Sequence, residues 1–276
     1  MQTSEPIETE RRPVRVESPT GDGPEYEIRF PRVEEMLDQD EEWCDVFLEG
    51  KWERIRFHDY DKIYMIPGLY EALFYEALKC TSPKRVANLL TEELEEADDQ
   101  PGSLRVLDVG AGNGMMGERL HAMGVQEIVG VDIIPEAKTA AERDRPGVYS
   151  DYMITDLTAM SDEEVKCLQS HRFNCMTTVA ALGFGDIPPR AFMGAYNMVE
   201  PEGWIAFNVK ESFVKGSDES GFSRLIRMMT EWELIHAHVY RRYCHRLSIA
   251  KEPLYYVAMV ARKVRDIPEE LLAALE

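Results

Sequence analysis

Asp108, Gly110, Gly112 and Gly114, in the stretch RVLDVGAGNGMMGERL (residues 105–120), are the residues whose types and spacing point most directly to chemistry. Val106, Leu107 and Val109 make a short apolar strand around one acid, and a helix opens at Met115 and stops at Gly124. A strand, a glycine turn and a helix N-terminus bring backbone N–H groups and a positive dipole end to bear on a ligand. Glycine lets the chain turn sharply and approach that ligand without an intervening Cβ. Each glycine also costs backbone entropy, so three after one buried strand argue for a ligand rather than for a turn alone. Two further acids stand at the ends of the next two strand-like runs: Asp132 in EIVGVD, and Asp156 followed by Leu157.

The elements that must position these residues alternate. After the glycine strand and its helix, runs at 127–132, 149–155, 173–180 and 204–210 read as strands. Helices opening at Pro135, near Ser161 and at Pro188 separate them. Such alternation argues for a doubly wound parallel sheet with helices on both faces. Two long strand-like runs, 234–243 and 253–262, then follow on a short link and must pair antiparallel. Ahead of the sheet, residues 1–24 are polar and rich in Pro, Glu and Gly, which predicts a disordered tail. Residues 25–100 read as a cap: a hairpin turning at Glu49-Gly50, a helix after Pro67-Gly68, and another from Ser82-Pro83 to an acidic run closed by Pro101-Gly102. The expected organisation is a tail (1–24), an N-terminal cap (25–100), a main α/β domain (101–264) and a C-terminal tail (265–276). The main domain is predicted to be Rossmann-like, with a seven-stranded, mostly parallel sheet ending in an antiparallel hairpin.

Composition narrows the partners. In 276 residues, 51 acids face 31 bases for a formal net charge of −20. Binding to nucleic acid rests on neutralising phosphates with Lys and Arg, so this charge argues against such a partner. The five cysteines are far apart with no Cys-x-x-Cys pair, which argues against a disulfide framework and against a zinc site. No metal is expected. The N-terminus lacks a basic region followed by an apolar core, and no apolar run approaches the roughly 20 residues of a membrane span. A cytoplasmic setting is expected.

Two ligand classes compete for the glycine turn. Gly112 to Gly117 matches the dinucleotide pattern G-x-G-x-x-G letter for letter, with Asp132 at the distance of a ribose-binding acid. That register, however, puts Asp108 and Gly110 inside a buried parallel strand. Ending the strand near Val109 leaves Asp108 at its carboxyl end, where an acid can meet a cationic amino group, as methionine has and a pyrophosphate does not. The terminal antiparallel hairpin also departs from the all-parallel sheets usual for dinucleotides. From Asp59 to Lys263 the chain resembles the class I S-adenosylmethionine-dependent methyltransferases. The D-x-G-x-G-x-G signature is met by Asp108, Gly110, Gly112 and Gly114. The acid of the second strand is met by Asp132, the acid-plus-apolar pair by Asp156-Leu157, and the Pro-x-Gly turn by Pro201-Glu202-Gly203. The Phe-Asp that often opens the fourth strand is here Phe173-Asn174.

The resemblance implies a methyltransferase using S-adenosyl-L-methionine. Gly110 and Gly112 would pass the methionine part, with Asp108 near its amino group. Asp132 would take the ribose hydroxyls, and Ile133 would pack on adenine. Asp156 and the Leu157 N–H would bond the adenine edge, and Val179 and Ala180 would offer backbone contacts to the amino acid portion. A dinucleotide-dependent oxidoreductase and a non-catalytic S-adenosylmethionine-binding module are the alternatives. Methyl transfer from a sulfonium is an in-line displacement governed mainly by alignment, so no base is required by the chemistry alone. His58 and Tyr60 are candidate catalytic residues, in a stretch where related enzymes place a lid. Tyr64, Phe184 and Lys210 are candidates for an acceptor pocket. His245 with Arg241, Arg242 and Arg246 could attract an acidic acceptor. A small-molecule acceptor is expected, its methylated atom, O or N, being open.

Overall fold

The computed structural model describes residues 14–16, 26–31, 39–182, 186–214 and 221–273. The chain forms two compact units: residues 1–80 with 245–254, and residues 81–244 with 255–276.

The first unit holds a four-stranded antiparallel sheet of β1 (Val14–Val16), β2 (Tyr26–Arg29), β3 (Trp43–Leu48) and β4 (Lys51–Arg56), in that order. Leu48 pairs with Lys51, leaving Glu49 and Gly50 as a two-residue loop with φ of 51° and 83°. Two left-handed residues match the twist of the flanking strands, which is why a Glu-Gly pair turns this hairpin. Helix α1 (Tyr60–Met65) and a π-helical segment, Glu71–Ala77, follow. Ile63, Leu69, Leu73 and Phe74 join Ile28, Val46, Ile55 and Phe57 in one apolar core. The stretch expected to be a structureless tail through residue 24 contains β1; its other residues lie outside the described ones.

The second unit opens with α2 (Ser82–Glu96) and then alternates: β5 (Arg105–Val109), α3 (Met115–Ala122), β6 (Glu127–Asp132), α4 (Pro135–Asp144), β7 (Asp151–Ile154), α5 (Asp162–Ser170), β8 (Cys175–Thr178), α6 (Pro189–Asn197), β9 (Trp204–Lys210). It closes with α7 (Phe222–Glu231), β10 (Ile235–Leu247), β11 (Pro253–Lys263) and α8 (Glu269–Ala273). The seven strands run in the order β10-β11-β9-β8-β5-β6-β7. Pairings β9–β8, β8–β5, β5–β6 and β6–β7 are parallel, and β11 is antiparallel to β9. The predicted sheet is therefore the observed one, including its antiparallel end.

Helices cover both faces. Val86, Leu90 and Leu94 of α2, with Met116 and Leu120 of α3, pack with Val106, Ile128 and Ala206. Leu168 of α5, Phe192 and Tyr196 of α6 and Leu225 of α7 pack with Leu107, Val109, Val129 and Phe207. This packing explains why α2 belongs to the sheet unit rather than to the first unit, although an acidic run and a Pro-Gly turn separate it from β5 in sequence. The segment expected to be a C-terminal tail likewise supplies Ile267 and Leu271 to the core. Chain order reverses between β5 and β8, and in such sheets ligands bind outside the strand carboxyl ends at that point.

Candidate functional site

The loop after β5 is a tight left-handed path. Gly110, Gly112 and Gly114 have φ of 66°, 55° and 91°, a region that disfavours any residue with a Cβ. A Cβ on Gly110 would also lie 2.8 Å from both Ala181 Cβ and Ile187 Cδ1. The loop is pinned to β6: the Gly110 and Ala111 N–H groups donate to the Val131 carbonyl at 2.9 and 3.1 Å.

Asp132, at the end of β6, organises the next layer. Its Oδ2 accepts the Gly112 N–H at 2.9 Å and its Oδ1 accepts the Ile134 N–H at 3.0 Å. Burial raises its pKa, and the backbone donors on Ile134 and Gly112 oppose that rise. Ile133 beside it is 57% exposed, an apolar side chain held at the crevice lip.

Asp108 sits beneath the loop. Its Oδ1 accepts from the Thr177 hydroxyl at 2.7 Å and its Oδ2 from the Tyr149 hydroxyl at 2.8 Å. Burial pushes its pKa up to about 6, with the Thr177 and Tyr149 hydroxyls pulling the other way. Asp108 shares the face of Val106, opposite to Leu107 and Val109, because successive strand residues alternate. The expectation of an acid beside a ligand amino group thus meets a carboxylate whose two oxygens are each bonded within the protein. Tyr152 completes this layer by donating its hydroxyl to the Gly112 carbonyl at 2.8 Å.

The remaining candidates of this unit lie at neighbouring strand ends. Asp156 is exposed after β7, and its Oδ1 accepts the Thr158 N–H at 2.8 Å and the Thr158 hydroxyl at 2.7 Å, which lowers its pKa. Leu157 is buried in the core. Val179 and Ala180 follow β8, and Ala180 adopts φ of 60°, strained for a residue with a Cβ. Lys210 ends β9, part-exposed, with Nζ 5.9 Å from the Phe213 ring centre. Phe184 lies outside the described residues.

Asn208 on β9 gives no sign of a role in the sequence, yet it is wholly buried and holds three bonds. Its Oδ1 accepts the Ala180 N–H at 2.6 Å, and its Nδ2 donates to Ser82 Oγ at 3.0 Å and to the Tyr243 hydroxyl at 2.6 Å. The strained turn after β8 is therefore fastened to α2 and β10.

The other candidates belong to the first unit. His58 meets Tyr60 edge-on at 5.6 Å, Tyr60 stacks on Tyr64 at 6.0 Å, and Tyr64 continues to Tyr70 at 5.3 Å. Of the four basic residues offered to an acidic acceptor, His245 and Arg246 are buried, whereas Arg241 and Arg242 are exposed. Arg246 is buried in an ion pair with Glu42 at 2.6 Å, and His245 is buried with a pKa held well below its ordinary value by burial and by Arg246. In the second unit, Arg242 pairs with Glu211 at 3.0 Å.

A family model described as "Methyltransferase domain" matches residues 81–251, more than half of the chain and nearly all of the glycine-loop unit. The chain belongs to the methyltransferase-domain family. Among solved structures, the N-methyltransferase NodS from Bradyrhizobium japonicum WM9 in complex with S-adenosyl-L-homocysteine aligns with a TM-score of 0.50 at 14% identity, over 75% of this chain and 97% of that one. Magnesium protoporphyrin IX methyltransferase (ChlM) from Synechocystis PCC 6803 aligns at 0.45 and 14% identity, over 66% and 79%. Ribosomal protein L11 methylase from Lactobacillus delbrueckii subsp. bulgaricus aligns at 0.44 and 17%, over 66% and 79%. No curated protein matches the sequence. The chain is thus a methyltransferase-domain protein, and its second unit has the Rossmann-like fold that the S-adenosyl-L-homocysteine complex of NodS also shows.

The family and the sheet set the dinucleotide reading aside, and Gly117 has another explanation. A Cβ there would lie 2.6 Å from Cζ and the hydroxyl of Tyr149. The third glycine of the apparent G-x-G-x-x-G makes room for the ring that bonds Asp108.

Proposed function

We propose that this methyltransferase acts on a small-molecule acceptor and holds S-adenosyl-L-methionine with the strand-end residues of the second unit. Several features support the cofactor assignment. Gly110 and Gly112 make a side-chain-free cradle. Asp132 accepts backbone N–H groups from Gly112, Ile133 and Ile134, and a carboxylate has about four lone-pair sites, which leaves an acceptor for a ribose hydroxyl. Exposed Ile133 offers the apolar surface an adenine face needs. Asp156 and the Leu157 N–H are assigned to the adenine edge, and the backbone of Val179 and Ala180 to the amino acid portion.

When bound, S-adenosyl-L-methionine supplies a methyl group on an already activated sulfonium. The work left to the chain is to align donor and acceptor and keep water out. Asp132 and the glycine loop fix the donor end. Asp108 acts as a positioning residue through Tyr149 and Thr177, which support the loop from below. Asn208 holds the turn at Ala180. His58, Tyr60, Tyr64, Phe184 and Lys210 are kept as candidates for the acceptor side, and a general base is needed only for an acceptor that must lose a proton early.

The observation that carries the acceptor class is the charge of −20, which repels a polyphosphate partner. The test is methyl transfer from radiolabelled S-adenosylmethionine into a fractionated cell extract. Label in the low-mass metabolite fraction is expected; label confined to RNA or protein would contradict the proposal.

A further inference from the structure

The amino-terminal ends of β6 and β7 lie at the end of the sheet opposite the crevice. There Val129 pairs with Asp151, so Glu127, two residues earlier on β6, points to the same sheet face as Asp151. Helix α5 covers this face: its Leu168 shares a core cluster with Val129. Cys167 and His171 stand four residues apart at the C-terminal end of α5, one above the other on one side of the helix. Ligand atoms of Asp151, Cys167 and His171 lie within 4.8 Å of one another, and His171 Nδ1 is 3.6 Å from Glu127 Oε1. The imidazole is further fixed by stacking on Phe173, 5.4 Å away at an interplanar angle of 18°.

We propose that Asp151, Cys167 and His171 bind a zinc ion, with water in the fourth position and Glu127 as the carboxylate that orients His171. Thiolate, imidazole and carboxylate are the donors zinc takes, and this mixture is borderline-soft as zinc is. A carboxylate behind a ligating histidine is the usual outer partner that fixes ring orientation and strengthens the ligand. Zinc bonds are about 2.0–2.3 Å long, so the three donor atoms must draw somewhat closer together. Asp151 and Cys167 are exposed and can turn to do so. Binding releases the Cys167 thiol proton to solvent. The ion would clip α5 to the edge strand β7, distant from methyl transfer. The donor set contains no cysteine pair: a single cysteine is joined by a histidine one turn later and by acids from two strands.

The test uses the full chain after chelator treatment, with Co2+ as a spectroscopic probe. A thiolate-to-cobalt charge-transfer band that saturates at one equivalent and is displaced by Zn2+ is expected. Cys167→Ser should abolish the band, and His171→Ala should weaken binding at least tenfold. Glu127→Gln should weaken it by about tenfold, within the range for outer-shell partners. Zn2+ should raise the melting temperature of the wild type and leave that of Cys167→Ser unchanged. Circular dichroism of the metal-free variants checks that they fold. No charge-transfer band, or a band of equal strength in folded Cys167→Ser, would overturn the proposal.

Discussion

At the scale of single residues, the acids divide by where the backbone holds them. Asp132 meets N–H groups at a strand end, whereas Asp108 lies inside the sheet with two hydroxyls on it. The folded chain holds the Asp108 proton up to about pH 6, against an ordinary value of 3.8. A raised acid pKa means that the stability from this group is present below about pH 4 and is lost as pH rises through 6. The melting temperature of Asp108→Asn should therefore fall less than that of the wild type between these pH values, and identical profiles would contradict the assignment. Asn208 carries a second expectation. Asn208→Ala removes the acceptor for the Ala180 N–H and should weaken S-adenosylhomocysteine binding about tenfold, a loss of roughly 1.4 kcal/mol. Adding Ala180→Gly, which suits the positive φ, should recover part of that loss in calorimetry. Unchanged affinity in a folded Asn208→Ala chain would show that this turn does not matter. The glycines and Asp132 were legible in the sequence because a strand end and a turn are local. The partners of Asp108 were not: Tyr149 and Thr177 lie 41 and 69 residues away.

At the scale of elements, alternating strands and helices were readable because buried parallel strands are short apolar runs and prolines open several of the helices. What the pattern hid was destination. Helix α2 reads as part of a cap until its apolar face is seen packing against β5, β6 and β9, and the aromatic-rich run after Pro67 is a π-helical segment rather than an α-helix. The C-terminal residues look like a tail because α8 is only one short turn-and-a-half of helix, yet Leu271 is buried. The fit between α3 and the Tyr149 ring is the element-level feature most open to test. Gly117→Ala would drive a Cβ to 2.6 Å from the ring and should destabilise the chain by about 1–3 kcal/mol in urea unfolding. A stability change below about 0.5 kcal/mol, the range of ordinary surface substitutions, would mean that the ring is free to move aside.

At the scale of the whole molecule, the hairpin tip at residues 245–254 belongs to the first unit, so that unit is built from two separated stretches of chain. Its core includes a buried ion pair, Arg246 with Glu42, and Glu42 also accepts the Ile249 N–H at 2.7 Å. Arg246 is thus spent inside the protein rather than facing an acceptor. The second unit carries the glycine loop and the strand-end acids, and the family match falls almost wholly on it. In the function proposed above, Asp132 and the loop it holds form the cofactor cradle. Isothermal titration of S-adenosylhomocysteine into the full chain tests this most directly. One equivalent should bind the wild type, and Asp132→Ala should weaken that binding well beyond tenfold, because hydrogen bonds to a charged group contribute about 1.5–3 kcal/mol each. Equal affinity for wild type and a folded Asp132→Ala chain would show that Asp132 does not hold the cofactor.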